Sequence, residues 1–416
     1  MNRSLAEWQA HIESLHPREI EMGLDRLAVV AARLQLLKPA MPVITVAGTN
    51  GKGSTVALLD ALARAAGHRT GVYTSPHILR FNERVRIDGR EADDVSLCQA
   101  FEAVDAARGE VPLTYFEFTT LAALWVFRCQ APDLLILEVG LGGRLDAVNL
   151  LDADVAIITS VGLDHTDWLG DTRDLIAAEK AGIRRTGRPL LYGERDMPEV
   201  VARLAEADQV PLFRAGEAFA GEAGQIRWRQ GDDTLRVSLG PVWLGEDNLA
   251  TAVQALALTG HLPPTASIAA VATALRLPGR CQHLRHGDVD WYLDVGHNRE
   301  ALARFLARVP VAARGGRTLA VCAMLADKPV EALDPFRAQV DEWLLADLDG
   351  PRGGPAGRLA ASVGPAQCFT SVRAAVEAAV QVARPGDRVL VFGSFYTVAE
   401  AVPVLAPDAA CASEAD

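Results

Sequence analysis

The segment Val43-Ile44-Thr45-Val46-Ala47, then Gly48-Thr49-Asn50-Gly51-Lys52-Gly53-Ser54, then a helical run to Ala66 closed by Gly67, leaves few architectures open. A short strand with no polar face belongs inside a sheet covered on both sides. A glycine-rich turn feeding straight into a helix aims unpaired amides at whatever lies before the helix, which is the setting of a phosphate-binding loop. The match to the commonest such loop is incomplete: Val46 stands where a glycine would be expected, and Gly53 intervenes between Lys52 and Ser54. Lys52 is expected on the β- and γ-phosphates of a nucleotide, with amides of Thr49 to Ser54 around them. The alternative is a glycine turn that only permits tight packing.

The same rhythm continues. Strands are expected at Arg69–Tyr73, Leu134–Val139 and Ala153–Thr159, with helices at Phe116–Phe127 and Thr172–Ile183 and a long helical N-terminal segment from Ser4 to Leu37. Apolar strands alternating with helices indicate an α/β fold with a mainly parallel sheet. From about 198 to 242 the texture shifts to short alternating runs between glycines, the mark of a small antiparallel excursion. After Leu277-Pro278-Gly279-Arg280 the α/β rhythm restarts at Trp291–Val295 and continues at Arg317–Ala323, Glu342–Ala346 and Arg388–Phe392. We therefore expect a P-loop mononucleotide-binding domain over 1–281 and a Rossmann-like α/β domain over 282–416, with a hinge at Leu277–Cys281. The glycine-rich stretch Asp349–Gly357 reads as an exposed loop and Ala406–Asp416 as a frayed tail.

A formal net charge of -12 over 416 residues argues against a broad nucleic-acid-binding surface. It leaves room for anionic small ligands held by a local nest of amides. No apolar run is long enough to span a membrane, and the N-terminus has no secretory pattern, so the cytoplasm is the expected compartment. The six cysteines form no Cys-x-x-Cys pair and read as mostly buried small side chains. Lysine is scarce: among 41 basic residues only Lys38, Lys52, Lys180 and Lys328 are lysines. GC-rich coding would explain the bias, but each remaining lysine then marks a place where a compact primary amine is favoured over a guanidinium.

Glu138 ends a strand whose preceding residues are all apolar, and Gly140-Leu141-Gly142-Gly143-Arg144-Leu145-Asp146 follows it. A carboxylate delivered to the C-terminal edge of an α/β sheet is placed to hold a metal beside phosphate, with a structural salt bridge as the plainer alternative. The next strand delivers Asp164-His165-Thr166-Asp167 to the same edge. His165 reads equally as a magnesium ligand, a base or a packed loop histidine.

Together with Tyr73-Thr74-Ser75-Pro76-His77, Phe81-Asn82-Glu83-Arg84, Glu179-Lys180-Ala181-Gly182-Ile183 and Asp294-Val295-Gly296-His297-Asn298, these pieces resemble, in order and spacing, the bacterial folylpolyglutamate synthase and dihydrofolate synthase family of Mur-type ligases. The resemblance runs from Gly23 to Ala399. It implies an ATP-dependent ligase that turns a carboxylate into an acyl phosphate, which the amine of L-glutamate then attacks. It implies magnesium, two ions in all, at Thr74, Glu138 and His165, with Lys180 as a carbamate on the second ion. Family members often carry serine where Thr74 stands, and threonine keeps the hydroxyl.

The resemblance further implies nucleotide contacts from Gly48, Thr49, Asn50, Gly51, Lys52, Gly53 and Ser54, and from Asn248, Arg280 and Asp294. It places a pterin at Gly23, Leu24, Asp25, Arg26, Tyr115, Phe116, Glu117, Leu145, Asp146 and Ala147, where Phe116 either stacks on the pterin or simply packs. His297 and Lys328 fall towards glutamate, although Asp294 and His297 also read as structural turn residues. Dihydropteroate and tetrahydrofolate are the expected acceptors, with polyglutamylation alone, or another Mur-type ligase, as alternatives. With the whole site in one chain, a monomer is expected.

Overall fold

Eight short strands build the first sheet: β1 (Val43–Ala47), β2 (Thr70–Tyr73), β3 (Val85–Ile87), β4 (Arg90–Glu91), β5 (Leu134–Glu138), β6 (Val155–Ile158), β7 (Leu190–Tyr192) and β8 (Leu212–Arg214). They lie in the order β4-β3-β2-β5-β1-β6-β7-β8. β3 runs antiparallel to both β2 and β4 at one edge, and every other neighbouring pair is parallel. Every residue of β1, β2, β5 and β6 is buried, which is why these strands read as continuous runs rather than alternating ones. The chain leaves β1 for β2 on one side of the sheet and crosses from β5 to β6 on the other. The carboxyl ends of β5, β1 and β6 therefore border a switch point, where open α/β sheets bind ligands.

This is a computed structural model that describes residues 3–16 and 21–407. The chain divides into two units, Met1–Leu275 and Arg276–Asp416. The division precedes the expected one at 281/282 by six residues, because the amide of Cys281 donates to Asp294 and the Arg280 guanidinium lies over Phe395, tying both residues to the second unit. In place of one helix from Ser4 to Leu37 there are two, Leu5–Ser14 and Asp25–Arg33, with Gly23 between them at φ +155°. A helix at Asp94–Arg108 escaped the sequence reading, as did β3 and β4.

The side excursion is an antiparallel sheet of β9 (Ala220–Glu222), β10 (Gln225–Gln230) and β11 (Asp233–Ser238). It is narrower than 198–242, since Glu199–Ala207 is a helix and Leu212–Arg214 is β8 of the main sheet. β9 covers β10 only from Gln225 to Arg227. Beyond it the fully buried Gln254, on helix Glu246–Thr259, takes the place of a strand: its Oε1 accepts from the Arg229 amide at 2.9 Å and its Nε2 donates to the Arg229 carbonyl at 3.0 Å.

The second unit holds β12 (Gln282–His286), β13 (Val289–Asp294), β14 (Thr318–Cys322), β15 (Glu342–Ala346), β16 (Gln367–Phe369) and β17 (Arg388–Phe392), in the order β12-β13-β17-β14-β15-β16. β12 is antiparallel and the rest are parallel. Stacked Phe336 and Phe392, 4.3 Å apart, centre its core. Most of 349–357 is the exposed loop expected of it, but not its middle. Gly354 is buried, and a Cβ there would come within 2.3 Å of the Met324 carbonyl, so the glycines serve close backbone packing. Among the described cysteines Cys281 and Cys322 are buried while Cys129 and Cys368 are exposed, a correction to the expectation of burial. Cys411 and the rest of 408–416 lie outside the described residues. No helix among them is long and apolar enough to cross a membrane.

Replacing Gln254 by leucine leaves the amide and carbonyl of Arg229 without partners. We expect a loss of about 2–4 kcal/mol, measured by urea unfolding.

Candidate active site

Gly51 opens helix Lys52–Ala65 from the left-handed region at φ +88°, and Gly48 sits at φ +151°. A Cβ on Gly48 would fall 1.9 Å from Thr159 Oγ1, so only glycine lets the loop lie against the end of β6. That strand end also pins the loop by hydrogen bonds. The Thr49 amide donates to the Ser160 carbonyl at 2.9 Å and the Asn50 amide to Ser160 Oγ at 2.8 Å, while Thr159 Oγ1 and Ser160 Oγ both donate to the Asn50 carbonyl. Two amides expected to wrap phosphate are thus spent on Ser160. The anion-facing donors narrow to the helix's first turn, whose amides have no intrahelical acceptor. Lys52 folds back over the loop, Nζ donating to the Gly48 carbonyl at 2.9 Å. Asn248 lies against Gly51, with its Oδ1 2.7 Å from where a Cβ would stand, and anchors itself on the Leu244 carbonyl.

Glu138 pairs in register with Val46, which sets its buried carboxylate beside the loop, and its Oε2 accepts from the Ser75 amide at 3.3 Å. Thr74 follows β2, the strand next to β5, and its hydroxyl donates to the Glu83 carbonyl at 3.3 Å. A hydroxyl that gives its proton away keeps its oxygen lone pairs. His165, after β6, adopts a left-handed φ of +53° and begins the short helix Thr166–Leu169. Its amide donates to Asp164, and its Nε2 stands 4.0 Å from the same carboxylate.

Lys180 lies on helix Arg173–Ala181 and is only 4% exposed. Burial, reinforced by the charge of Lys52 and opposed by Asp164 and Asp146, brings its ammonium pKa from 10.5 down to about 7. The glycines after β5 make this burial possible. A Cβ on Gly143 would stand 2.8 Å from the carbonyls of Glu179 and Lys180, and one on Gly182 would stand 2.3 Å from Arg144 Cβ. Arg144 ties the two backbones together, its amide donating to the Glu179 carbonyl at 2.9 Å and its guanidinium to the Glu179 carboxylate.

The residues assigned to a pterin come together in part. Arg26 bridges to buried Glu117 at 3.0 Å and to Glu21, joining the 21–26 segment to the start of helix Tyr115–Gln130. The Phe116 ring packs over Gly140, where a Cβ would be 2.7 Å from it. Asp146, buried with Ala147, caps its own turn by accepting from the Leu141 amide at 2.8 Å and the Val148 amide at 3.1 Å, and burial raises its pKa to about 6 against those amides and Lys52. Leu24 and Leu145 are half-buried and Asp25 is exposed.

The second unit presents its own set at the carboxyl ends of its parallel strands. Asp294 is half-buried, accepts from the Cys281 amide at 2.8 Å and the Gly296 amide at 2.7 Å, and has its pKa raised by loss of solvation. His297 Nδ1 lies 3.0 Å from the Val295 carbonyl; a carbonyl only accepts, so Nδ1 carries the proton. Lys328 is buried, with Nζ 3.5 Å from Asp327.

Sequence reasoning passed over Thr159 and Ser160, whose hydroxyls at a strand end were the available signal. It also passed over the pairing of Arg84 Nε with His77 Nδ1 at 2.8 Å, in which burial and the Arg84 charge bring the imidazole down to about 4 and keep it a neutral acceptor. Among the described residues no three His, Cys, Asp or Glu side chains gather as a metal cage.

Two mainly parallel sheets, the first with a glycine loop, a lysine and a buried carboxylate at one edge, fit a Mur-type ligase, the class that the family models match. Residues 46–214 match the Mur ligase middle domain and residues 279–395 the Mur ligase glutamate ligase domain. The chain is 43% identical to the dihydrofolate synthase/folylpolyglutamate synthase of Escherichia coli, covering 96% of this chain and 95% of that one. It is 40% identical to the protein of the same description from Haemophilus influenzae, covering 95% and 96%. Among solved structures, E. coli FolC in complex with DHPP and ADP superposes with a TM-score of 0.93 at 42% identity over 98% of this chain and 99% of that one. A bifunctional folylpolyglutamate synthase/dihydrofolate synthase with Mn, AMPPNP and L-glutamate bound superposes at 0.90, with 43% identity over 97% and 98%. This chain belongs to the dihydrofolate synthase/folylpolyglutamate synthase family.

Two outcomes follow from the burial of Lys180. Gly143→Ala should destabilise the fold by about 1–3 kcal/mol in urea, because its Cβ meets the backbone of Glu179 and Lys180. Lys180→Met should raise the melting temperature of the ligand-free protein near pH 7. The folded state holds the ammonium pKa below its unfolded value of 10.5, so the wild type forfeits stability increasingly as pH falls from there to about 7. The variant's advantage should therefore shrink in melts between pH 7 and 10.

Proposed function

We propose that this chain joins L-glutamate to dihydropteroate, giving dihydrofolate, and to tetrahydrofolate or its polyglutamates, giving the γ-linked product, with ATP consumed in each cycle. The observation that carries this reading is the meeting of phosphate loop, Glu138 carboxylate and buried Lys180 amine at one sheet edge. The ligands of the similar structures, DHPP, ADP, AMPPNP and L-glutamate, supply the substrate classes. An ATP-consuming step fits the cytoplasm as the proposed compartment.

A carboxylate and an ammonium do not condense at neutral pH. The acceptor carboxylate oxygen attacks the γ-phosphorus as the bond to the bridging oxygen breaks and ADP departs. The neutral amine of glutamate then attacks the acyl carbon, inorganic phosphate leaves, and the amine loses its proton. Lys52 and the first-turn amides hold the phosphates in line, while Asn248, Arg280 and Asp294 take the nucleotide. Gly23–Arg26, Tyr115–Glu117 and Leu145–Ala147 hold the pteroate, and Lys328 and His297 receive glutamate. Glu138 and Thr74, with their oxygens, and His165 would hold magnesium, which takes few protein ligands and fills its shell from phosphate and water. When bound, that ion offsets charge on the transferring phosphoryl oxygens.

Lys180 is assigned as a carbamate. A pKa of about 7 leaves much of the amine neutral, the form that adds CO₂ to give R–NH–COO⁻ and a proton. The product is a hard oxygen ligand where an ammonium would repel both Lys52 and a metal. With ¹³C-bicarbonate, a carbamate carbon resonance should appear in the wild type and be absent from Lys180→Arg; a resonance in neither would remove the assignment.

Labelled glutamate, ATP and Mg²⁺ supplied with dihydropteroate or tetrahydrofolate in parallel should yield a labelled product from each, identified by mass. Lys52→Ala should lower both rates on the order of 10² to 10³-fold. Label in one product alone would reduce the activity to that one.

A further inference from the structure

Helix Ala356–Val363 carries an arginine that turns away from its own helix to serve another loop. Arg358 Nη1 donates to the carbonyls of Ala326 at 3.1 Å and Lys328 at 2.7 Å, and Nη2 donates to the Leu325 carbonyl at 2.8 Å. One guanidinium thus collects three of the four carbonyls in Leu325-Ala326-Asp327-Lys328. The turn is gripped from the other side as well. Ala326 donates its amide to the Arg352 carbonyl at 3.0 Å, Leu325 bridges to Gly353, and the missing Cβ of Gly354 lets the Met324 carbonyl approach. Arg352 also reaches Asp327 at 3.6 Å, the carboxylate beside Lys328 Nζ.

We infer that Arg358 is a positioning residue for Lys328, fixing where its ammonium stands for the carboxylates of incoming glutamate. The inference rests on the glutamate-side reading of Lys328. The turn follows β14, at the carboxyl edge of the second unit's sheet, and Lys328 is its buried last residue. A lysine at 358 would offer a single point charge, whereas the planar fork spans carbonyls on three residues at once. Removing that fork frees the turn to reorient its carbonyls, and an ammonium displaced by about an ångström no longer matches a bound carboxylate.

The test compares Arg358→Gln, Arg358→Lys, Lys328→Met and the double variant Arg358→Gln/Lys328→Met in the full chain. Each is assayed for KM of glutamate, KM of ATP and kcat, and melted to confirm folding. Arg358→Gln should raise KM for glutamate on the order of 10- to 100-fold with KM for ATP changed less than about twofold. Arg358→Lys should fall between it and the wild type. The double variant should be no worse for glutamate than Lys328→Met alone, since both losses pass through one group. If Lys328→Met raises KM for glutamate while folded Arg358→Gln does not, the positioning role is overturned and the reading of Lys328 stands. If Arg358→Gln raises it and Lys328→Met does not, the reading of Lys328 fails and the inference with it. An equal rise in KM for both substrates, tracking a lower melting temperature, would make Arg358 merely structural and overturn the inference.

Discussion

The approach of Gly48 to Thr159 sets the terms for everything at the first sheet edge. β1 lies between β5 and β6, so its loop must leave the sheet in the space between two other strand ends. With no side chain at 48, the loop can rest on Thr159 and spend its first two amides on Ser160. It is then rigid before any ligand arrives, and the helix behind it starts from a fixed point. Register does the rest: Val46 opposite Glu138 fixes the height of the carboxylate relative to that loop to within one residue. A pre-set arrangement of this kind spares binding energy from ordering the protein.

What could be read from the chain alone follows from how local each cause is. β1, β5 and β6 were visible because burial on both faces writes an unbroken apolar run, and Glu138 stood out as the one charge at the end of such a run. Lys180 was one of four lysines left where arginine is the rule, and the family resemblance singled it out. By contrast, Arg26 meets Glu117 across 91 residues and Arg358 meets Leu325 across 33, and no periodicity announces either. Glycines hid one role. Gly353 and Gly354 read only as part of an exposed loop, whereas the structure uses the absence of Cβ there to bring two backbones together. A glycine's freedom and a glycine's closeness look the same in sequence.

Asp146 shows a related limit. A carboxylate after a glycine-rich turn suggests an outward-looking acceptor, yet it spends at least two of its acceptor positions on the amides of Leu141 and Val148. About four lone-pair sites are available to an ionised carboxylate, so capping its own turn and receiving a ligand donor are compatible. The capping bonds hold the 140–146 loop in its own turn, and Arg144 ties that loop to the helix of Lys180 through Glu179.

The electrostatics of that corner explain why the two lysines need different fates. Lys52 must stay cationic to meet phosphate, and its charge is among the forces that depress Lys180. A second buried ammonium would repel the first and any divalent ion beside it. Neutral Lys180 relieves that repulsion but contributes no ligand. The proposed carbamate would do both, replacing like-charge repulsion with attraction in a region where poor solvation strengthens each interaction. Arginine offers no such exit, since its guanidinium stays protonated at any working pH. Burial here therefore favours the neutral amine, the form that the proposed carbamate requires.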